Sequence, residues 1–310
     1  MRSTTGLFGL RAKALAVAAG IITSVVLTPS VAHAYTGQVV GWASPADPVR
    51  NVPASLSSGV TAIAVGGGHA LAVKNGGVVA WGDNNSGATT VPATATSGVT
   101  AVAGGAAHSL ALKNGGVVAW GDNSAGQTTI PAAAASGVIA IGAGFTFSVA
   151  LKSNGTVVAW GQTLAGLNGV TGIKAISVNQ FDVLLVRNDN SLAQYALLGG
   201  NPTPPNTTGL PVKQVAAGVT VHIGLTNDGY TFAWDADGAP VSLPPSMQSG
   251  IKWVDASWSH LLAVGNDGAL RVLWLANNTL MTPPSSLTSG VDKALLRRDG
   301  VIDLWVVATK

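Results

Sequence analysis

Cysteine is absent from this 310-residue chain, and so is glutamate; every acidic residue is an aspartate. Without cysteine there is no disulfide framework and no thiol nucleophile, so the fold must be held by packing alone. Without glutamate, Asp235-Ala236-Asp237-Gly238 lacks the bidentate ligand that a calcium loop needs further on, and reads better as a turn after a strand. Charge is scarce, at 9% of residues, and Lys and Arg nowhere cluster, which excludes the phosphate-neutralising surface of a nucleic-acid binder. The apolar stretch Ala14 to Leu27 falls short of the roughly 20 residues that cross a bilayer. Catalytic signatures are missing too: no Gly-x-Ser-x-Gly elbow, no His-Glu-x-x-His, no phosphate-cradling Gly-Lys-Ser/Thr. Gly66-Gly67-Gly68 sits between strands with no helix after it, so it is not a dinucleotide loop. The chain reads as a non-enzyme that needs no cofactor or metal.

What is present begins with a leader. Arg2, Arg11 and Lys13 precede the apolar stretch, and Val31-Ala32-His33-Ala34 supplies a small-x-small cleavage pattern. Residues 1–34 are expected to be a secretory signal peptide, with residues 35–310 forming one exported, extracellular domain. Three of the 16 basic residues lie in the leader, so the remainder balances at 13 basic against 13 acidic groups. A neutral, leaderless domain points away from nucleic acid and membrane as partners and towards a monomer.

That domain is a repeat. A Gly-rich strand, a tight turn and a strand ending in an aromatic recur, and the aromatics fall at Trp42, Trp81, Trp120, Trp160, Tyr195, Trp234, Trp274 and Trp305. The intervals are 39, 39, 40, 35, 39, 40 and 31. A fixed period of this length with Gly turns and no helical spacing marks a propeller or array of strands. The unit ending at Trp120 reads as four strands: Val99 to Ala103, Ser109 to Lys113, Val117 to Trp120, and a short edge strand at Thr128-Thr129-Ile130-Pro131. Asn75-Gly76, Asn114-Gly115 and Asn154-Gly155 supply the positive φ of hairpin turns. Asn201 to Pro211 occupies the place of the edge strand, and is expected to be a loop plus edge strand. The last unit, Gly290 to Trp305, is short by one strand, whereas Trp42 closes an isolated third strand. Sharing one blade between these two fragments would close the ring.

The wording Leu71-Ala72-Val73-Lys74-Asn75-Gly76-Gly77-Val78-Val79-Ala80-Trp81-Gly82-Asp83-Asn84, followed by Thr89-Thr90-Val91-Pro92, resembles the RCC1-type repeat family. The resemblance is close over residues 59–160 and looser elsewhere. It implies an all-β, seven-bladed β-propeller of RCC1-like repeats. Within the family the wording is most similar to secreted members that inhibit β-lactamases. It therefore implies an extracellular protein partner, in the concrete case a class A β-lactamase blocked sterically at its active site. In such members partner contacts come from the two residues before the repeated His position and from the loop after Trp-Gly. Here the first set is Gly67/Gly68, Ala106/Ala107, Phe145/Thr146, Gln180/Phe181, Val219/Thr220 and Trp258/Ser259. The second includes Asp83, Asn84, Asp122, Asn123, Gln162, Asp235 and Asp237.

Binding faces draw their energy from a few desolvated aromatics. The partner-binding candidates are therefore Phe145, Phe181 and Trp258 as apolar anchors, with Asp83, Asp122 and Asp235 as polar contacts. Asp and Asn at these loops also cap turns through their own backbone, the plainer role. His69, His108 and His260 share one repeat position, and His222 sits one place off. Copied around a ring they cannot converge on a metal, and hydrogen bonds between strands of one blade are expected of them. The register-keeping Trp residues are expected to be packing. A contrasting reading is a secreted structural or cell-surface propeller, without inhibitor activity, whose exposed Trp and Asn/Asp loops bind cell-wall polysaccharide or another extracellular ligand such as a peptide.

Overall fold

The computed structural model describes residues 37–42, 51–162, 164–197, 201–283, 285–296 and 304–308. The expected signal peptide lies outside them. The described residues form seven antiparallel sheets of three or four strands. In the first, an inner strand Val60–Val65 pairs with a middle strand His69–Lys74, which pairs with an outer strand Gly77–Gly82. The inner strands of the next five sheets are Val99–Gly104, Val138–Ala143, Ile173–Val178, Val212–Ala216 and Ile251–Ala256, and Val291–Leu296 is that of the seventh. In all seven the pairing slips by one residue at the second position of the inner strand, as at Val60/Ala62. Such a bulge sharpens the local twist.

The sheets follow one another about a common axis, and the core lies at their interfaces. Seven apolar clusters each join one sheet to the next. Leu71, Val99 and Trp120 serve the first pair, and Leu56, Val60 and Val39 join the first sheet to the seventh. Strands packed on both faces explain why the middle strands carry no alternation; Ala70, Leu71, Ala72 and Val73 are all buried. The ends of the inner strands, from Val65 round to Leu296, line a narrow axial cavity of about 50 Å3.

The hairpins form where the Asn-Gly pairs placed them. Asn75 and Gly76 have φ of 52° and 73°, and Asn114 and Gly115 have 51° and 74°, the doubly positive φ of a type I′ turn. At Asn154-Gly155 only the glycine is left-handed (79°), and Asn154 Oδ1 instead accepts the Thr156 N–H at 3.0 Å.

Three expectations need correction. The edge strand at Thr128–Pro131 does not form: the segment turns and runs into a 3-10 helix, Ala132–Ala134. Asn123 closes that turn, its Oδ1 accepting the Thr128 N–H at 3.0 Å, which diverts the chain from the sheet edge. Among the described residues, fourth strands occur only in the fifth and sixth sheets, at Pro240–Val241 and Thr279–Met281. Likewise, 201–211 holds no edge strand and leads directly to Val212. Finally, Trp305 is not the closing aromatic of the last unit. Leu304–Ala308 pairs with Val291–Leu296 as a middle strand, and Gln38–Trp42 adds outside it, with Trp42 opposite Leu304. The interval of 31 is short because Trp305 sits one strand too early, and Trp42 takes the outer-strand place. The two chain-end fragments do share a sheet.

Candidate partner-binding face

Inner and outer strands run the same way in each sheet, so the loops that follow both emerge on one face. Backbone bonds lace them together. Asp83 N–H donates to Gly68 at 2.8 Å, Asp122 to Ala107 at 3.0 Å and Gln162 to Thr146 at 2.9 Å. Neighbouring sheets are joined in the same manner around the mouth of the axis: Gly67 N–H to Gly105 at 3.0 Å, Ala106 to Gly144 at 3.1 Å, Phe145 to Gln180 at 2.8 Å and Val219 to Ser257 at 3.3 Å. Between the fourth and fifth sheets a side chain makes the link, Asn179 Nδ2 donating to the Gly218 carbonyl at 2.7 Å.

The three expected anchors meet on this face. Phe145 and Phe181 stack at 6.0 Å with 14° between their planes, and Trp258 meets Phe181 edge-on at 6.2 Å. They come from the third, fourth and sixth sheets, and Val219 and Thr220 of the fifth sheet complete the arc. Thr220 Oγ1 donates to the Trp258 carbonyl at 2.9 Å. Phe145 is 47% and Trp258 44% exposed, whereas Phe181 is half-buried between them. Two large aromatics left in water beside a third form an exposed apolar patch, which makes this face the candidate site. The residue that positions Phe181 was missed by the sequence reading. Asn179 stands where other sheets carry Gly or Ser, and its Oδ1 accepts both the Phe181 and Asp182 N–H at 2.6 Å. A lone Asn in place of the repeated Gly was its only signal.

The opposite arc of the mouth is bare. A Cβ on Gly67 would lie 2.6 Å from the Ala106 carbonyl oxygen, and one on Gly68 only 3.0 Å from the Asp83 side chain. Small residues are required there by the close approach of loops. The result is a low shelf beside a raised aromatic ridge, with a small cleft of about 20 Å3 between Asp83, Ala106 and Ala107.

The three Asp candidates stand around this mouth but not in contact with the aromatics. Each closes its own turn: Asp83 Oδ1 accepts the Asn85 N–H at 2.8 Å, Asp122 the Ser124 N–H at 3.0 Å, and Asp235 the Asp237 and Ala239 N–H at 3.0 and 2.8 Å. The Ser124 N–H bond is the main cause holding the Asp122 carboxyl below its ordinary value. The turn-capping role is thus present, and it leaves each loop rigid. By contrast, every described Lys and Arg lies toward the opposite ends of the strands. Most reach neighbouring carbonyls, as Lys113 and Lys152 do to Thr94 and Ala133 at 2.8 and 2.9 Å. Lys293 is buried, its ammonium 4.2 Å from the Trp253 ring, and burial lowers its pKa to about 8.

Two histidines differ from expectation: His69 and His108 tie one sheet to the next rather than strands within a sheet, while His260 Nδ1 meets Oγ of the adjacent Ser259 at 2.8 Å. Ser109 Oγ donates to the Ala88 carbonyl at 2.8 Å, so its oxygen accepts Nε2–H of His69 at 2.9 Å. Trp120 Nε1 donates to the same carbonyl at 2.7 Å. His108, Ser148, the Gln127 carbonyl and Trp160 repeat this at 3.0, 2.8 and 2.8 Å. The link crosses sheets because a serine 40 residues on is the nearest polar group in the buried interface. Burial lowers the His108 and His222 pKa values to about 4. Trp81, Trp120, Trp160 and Trp234 are buried packing, but Trp274 is 40% exposed. It lies at the rim, opposite Thr279 across a tight turn, and stacks one face on His260 at 6.4 Å. Among the described residues no group of three His or Asp could hold a metal.

Residues 99–127 and 138–164 match the Regulator of chromosome condensation (RCC1) repeat. No curated protein matches the chain by sequence. Among solved structures, Prp20p from Saccharomyces cerevisiae, described with binding properties to Gsp1p and histones, is similar at 16% identity. That match has a TM-score of 0.69 and covers 91% of this chain and 93% of that one. Human WBSCR16 is similar at 17% identity and TM-score 0.67, covering 88% and 99%. The CRINKLY WD40 ectodomain of the Arabidopsis thaliana receptor kinase ACR4 follows at 16% and 0.60, covering 77% and 90%. Such identities speak for fold. This protein carries RCC1 repeats at residues 99–127 and 138–164 and shares an all-β, RCC1-like propeller fold with these structures.

Proposed function

We propose that this protein is a secreted, seven-bladed propeller that binds another protein across the mouth of its axis, without chemistry of its own. The observation that carries this reading is the contact of Phe145, Phe181 and Trp258, three residues from three sheets that converge into one solvent-facing patch. In its most concrete form the partner is an extracellular class A β-lactamase whose active-site entrance is covered sterically. The support for that form is the wording of the repeats together with the position of the patch, where residues preceding the His position were expected to make contact. Rigid, mutually bonded loops favour tight binding because little motion is lost on association.

The test is a titration of purified protein against several class A β-lactamases, following hydrolysis of a chromogenic substrate. Inhibition in or below roughly the micromolar range corresponds to about 8 kcal/mol of specific binding and would support the inhibitor form. No inhibition by folded protein would remove the β-lactamase from the proposal.

A further inference from the structure

The charge of the two faces bears on what kind of protein docks. Among the described residues, the carboxylates on the mouth-side outer loops, Asp83, Asp122, Asp235 and Asp237, meet no Lys or Arg on that face. Asp255 lines the axial cavity beneath them. The described cations lie toward the far ends of the strands and are engaged there, as in Lys252 with Asp292 at 3.2 Å and Arg271 with Asp267 at 2.7 Å. Connections 43–50, with Asp47 and Arg50, and 297–303, with Arg297, Arg298, Asp299 and Asp303, are outside the described residues. The described cations are therefore confined to the far side while carboxylates stand on both, and the mouth combines an apolar ridge with carboxylates that have no described cation beside them. We infer that the partner presents a cationic loop with an apolar tip, the tip seated on Phe181 between Phe145 and Trp258, and Lys or Arg side chains against Asp83 and Asp122 across the bare shelf. This rests on the reading of the aromatic mouth as a protein-binding site. The cleft of about 20 Å3 walled by Asp83 opens onto the shelf and offers a basic group a carboxylate within reach. Complementary charge of this kind governs encounter and partner choice more than raw affinity.

The probes are three fluorescein-labelled cyclic peptides identical except for tips of Arg-Trp-Arg, Gln-Trp-Gln and Glu-Trp-Glu, read by anisotropy against the whole protein. The expected order is Arg over Gln over Glu, with roughly a tenfold span at low salt that narrows in about 0.5 M NaCl, where screening shortens the reach of charge. Asp83→Asn/Asp122→Asn keeps a turn-capping oxygen while removing both charges, and should shrink the advantage of the Arg peptide about threefold. Phe181→Ala should weaken all three. Equal binding of the peptides, still lost in Phe181→Ala, would overturn the charge proposal and leave the aromatic site standing. No binding by any peptide, or indifference to Phe181→Ala, would count against the aromatic site and take the charge proposal with it.

Discussion

Between the first and second sheets, and again between the second and third, the same chain of His, Ser, carbonyl and Trp recurs at the same spacing. Between the fourth, fifth and sixth sheets this side-chain sequence does not recur. Asn179 reaches Gly218 at 2.7 Å, Ala217 N–H donates to Ser177 at 3.0 Å, and Gln214 reaches the Val254 carbonyl at 2.7 Å. The repeated link has a steric consequence. Added Cβ atoms at Gly66 and Gly105 would lie 2.4 and 2.2 Å from the rings of His69 and His108, so the mouth loops above them stay small and close. Where Asn179 replaces the glycine, its side chain takes over the bonding and Phe181 stands above it. Two of the ridge residues, Phe181 and Trp258, thus stand on sheets that abandon the repeat, while Phe145 stands on the third sheet at the edge of the regular part, which serves as the rigid base.

Removing a buried link from the regular part should produce the largest loss. Trp160→Ala empties a buried indole site and removes one of the two donors to the Gln127 carbonyl, costing about 3–5 kcal/mol. Trp274→Ala, at the 40%-exposed position, should cost under about 1.5 kcal/mol. Urea melts of the two variants against the parent measure the contrast, and equal losses would erase it.

Acid should come next. His108 and His222, lowered to about 4 by burial, take up protons more readily unfolded than folded between pH 6.5 and 4. Their stabilising contribution is complete above the unfolded value and declines as pH falls through that window, by up to roughly 3 kcal/mol each. Unfolding free energy measured at pH 7 and pH 4.5 should show the fall. His108→Phe, apolar as Phe147 is at the same position, should flatten the slope.

A smaller effect is expected at Ser148→Ala, which leaves the His108 Nε2–H buried without its acceptor. About 1–3 kcal/mol should be lost. Ser86→Ala, on an exposed loop, should lie within about 0.5 kcal/mol of the parent.

Much of this was legible from residue order. The Gly turns and spaced aromatics located strand after strand, because a positive φ and a buried indole each admit few residue types. The aromatic ridge was legible for the opposite reason: Phe145, Phe181 and Trp258 interrupt a pattern that packing does not require them to interrupt. Ring closure was half visible. Two fragments lacked partners, but only pairing register shows that Trp42 rather than Trp305 ends the outer strand. The histidine links were hidden because their serine partners lie 40 residues on, where a one-unit reading does not look. Asn179 was hidden because its work is done on backbone atoms, which leave no trace in composition.

If binding energy resides in the aromatic ridge and stability elsewhere, one substitution separates the two. Inhibition curves for the parent and Phe181→Ala against a class A β-lactamase, run beside their melting temperatures, test it directly. Expected are inhibition by the parent, at least about a thirtyfold loss in the variant as for a hot-spot aromatic, and a melting temperature lowered by no more than about 3 °C. Equal inhibition by both proteins, or none by a folded parent, would contradict it.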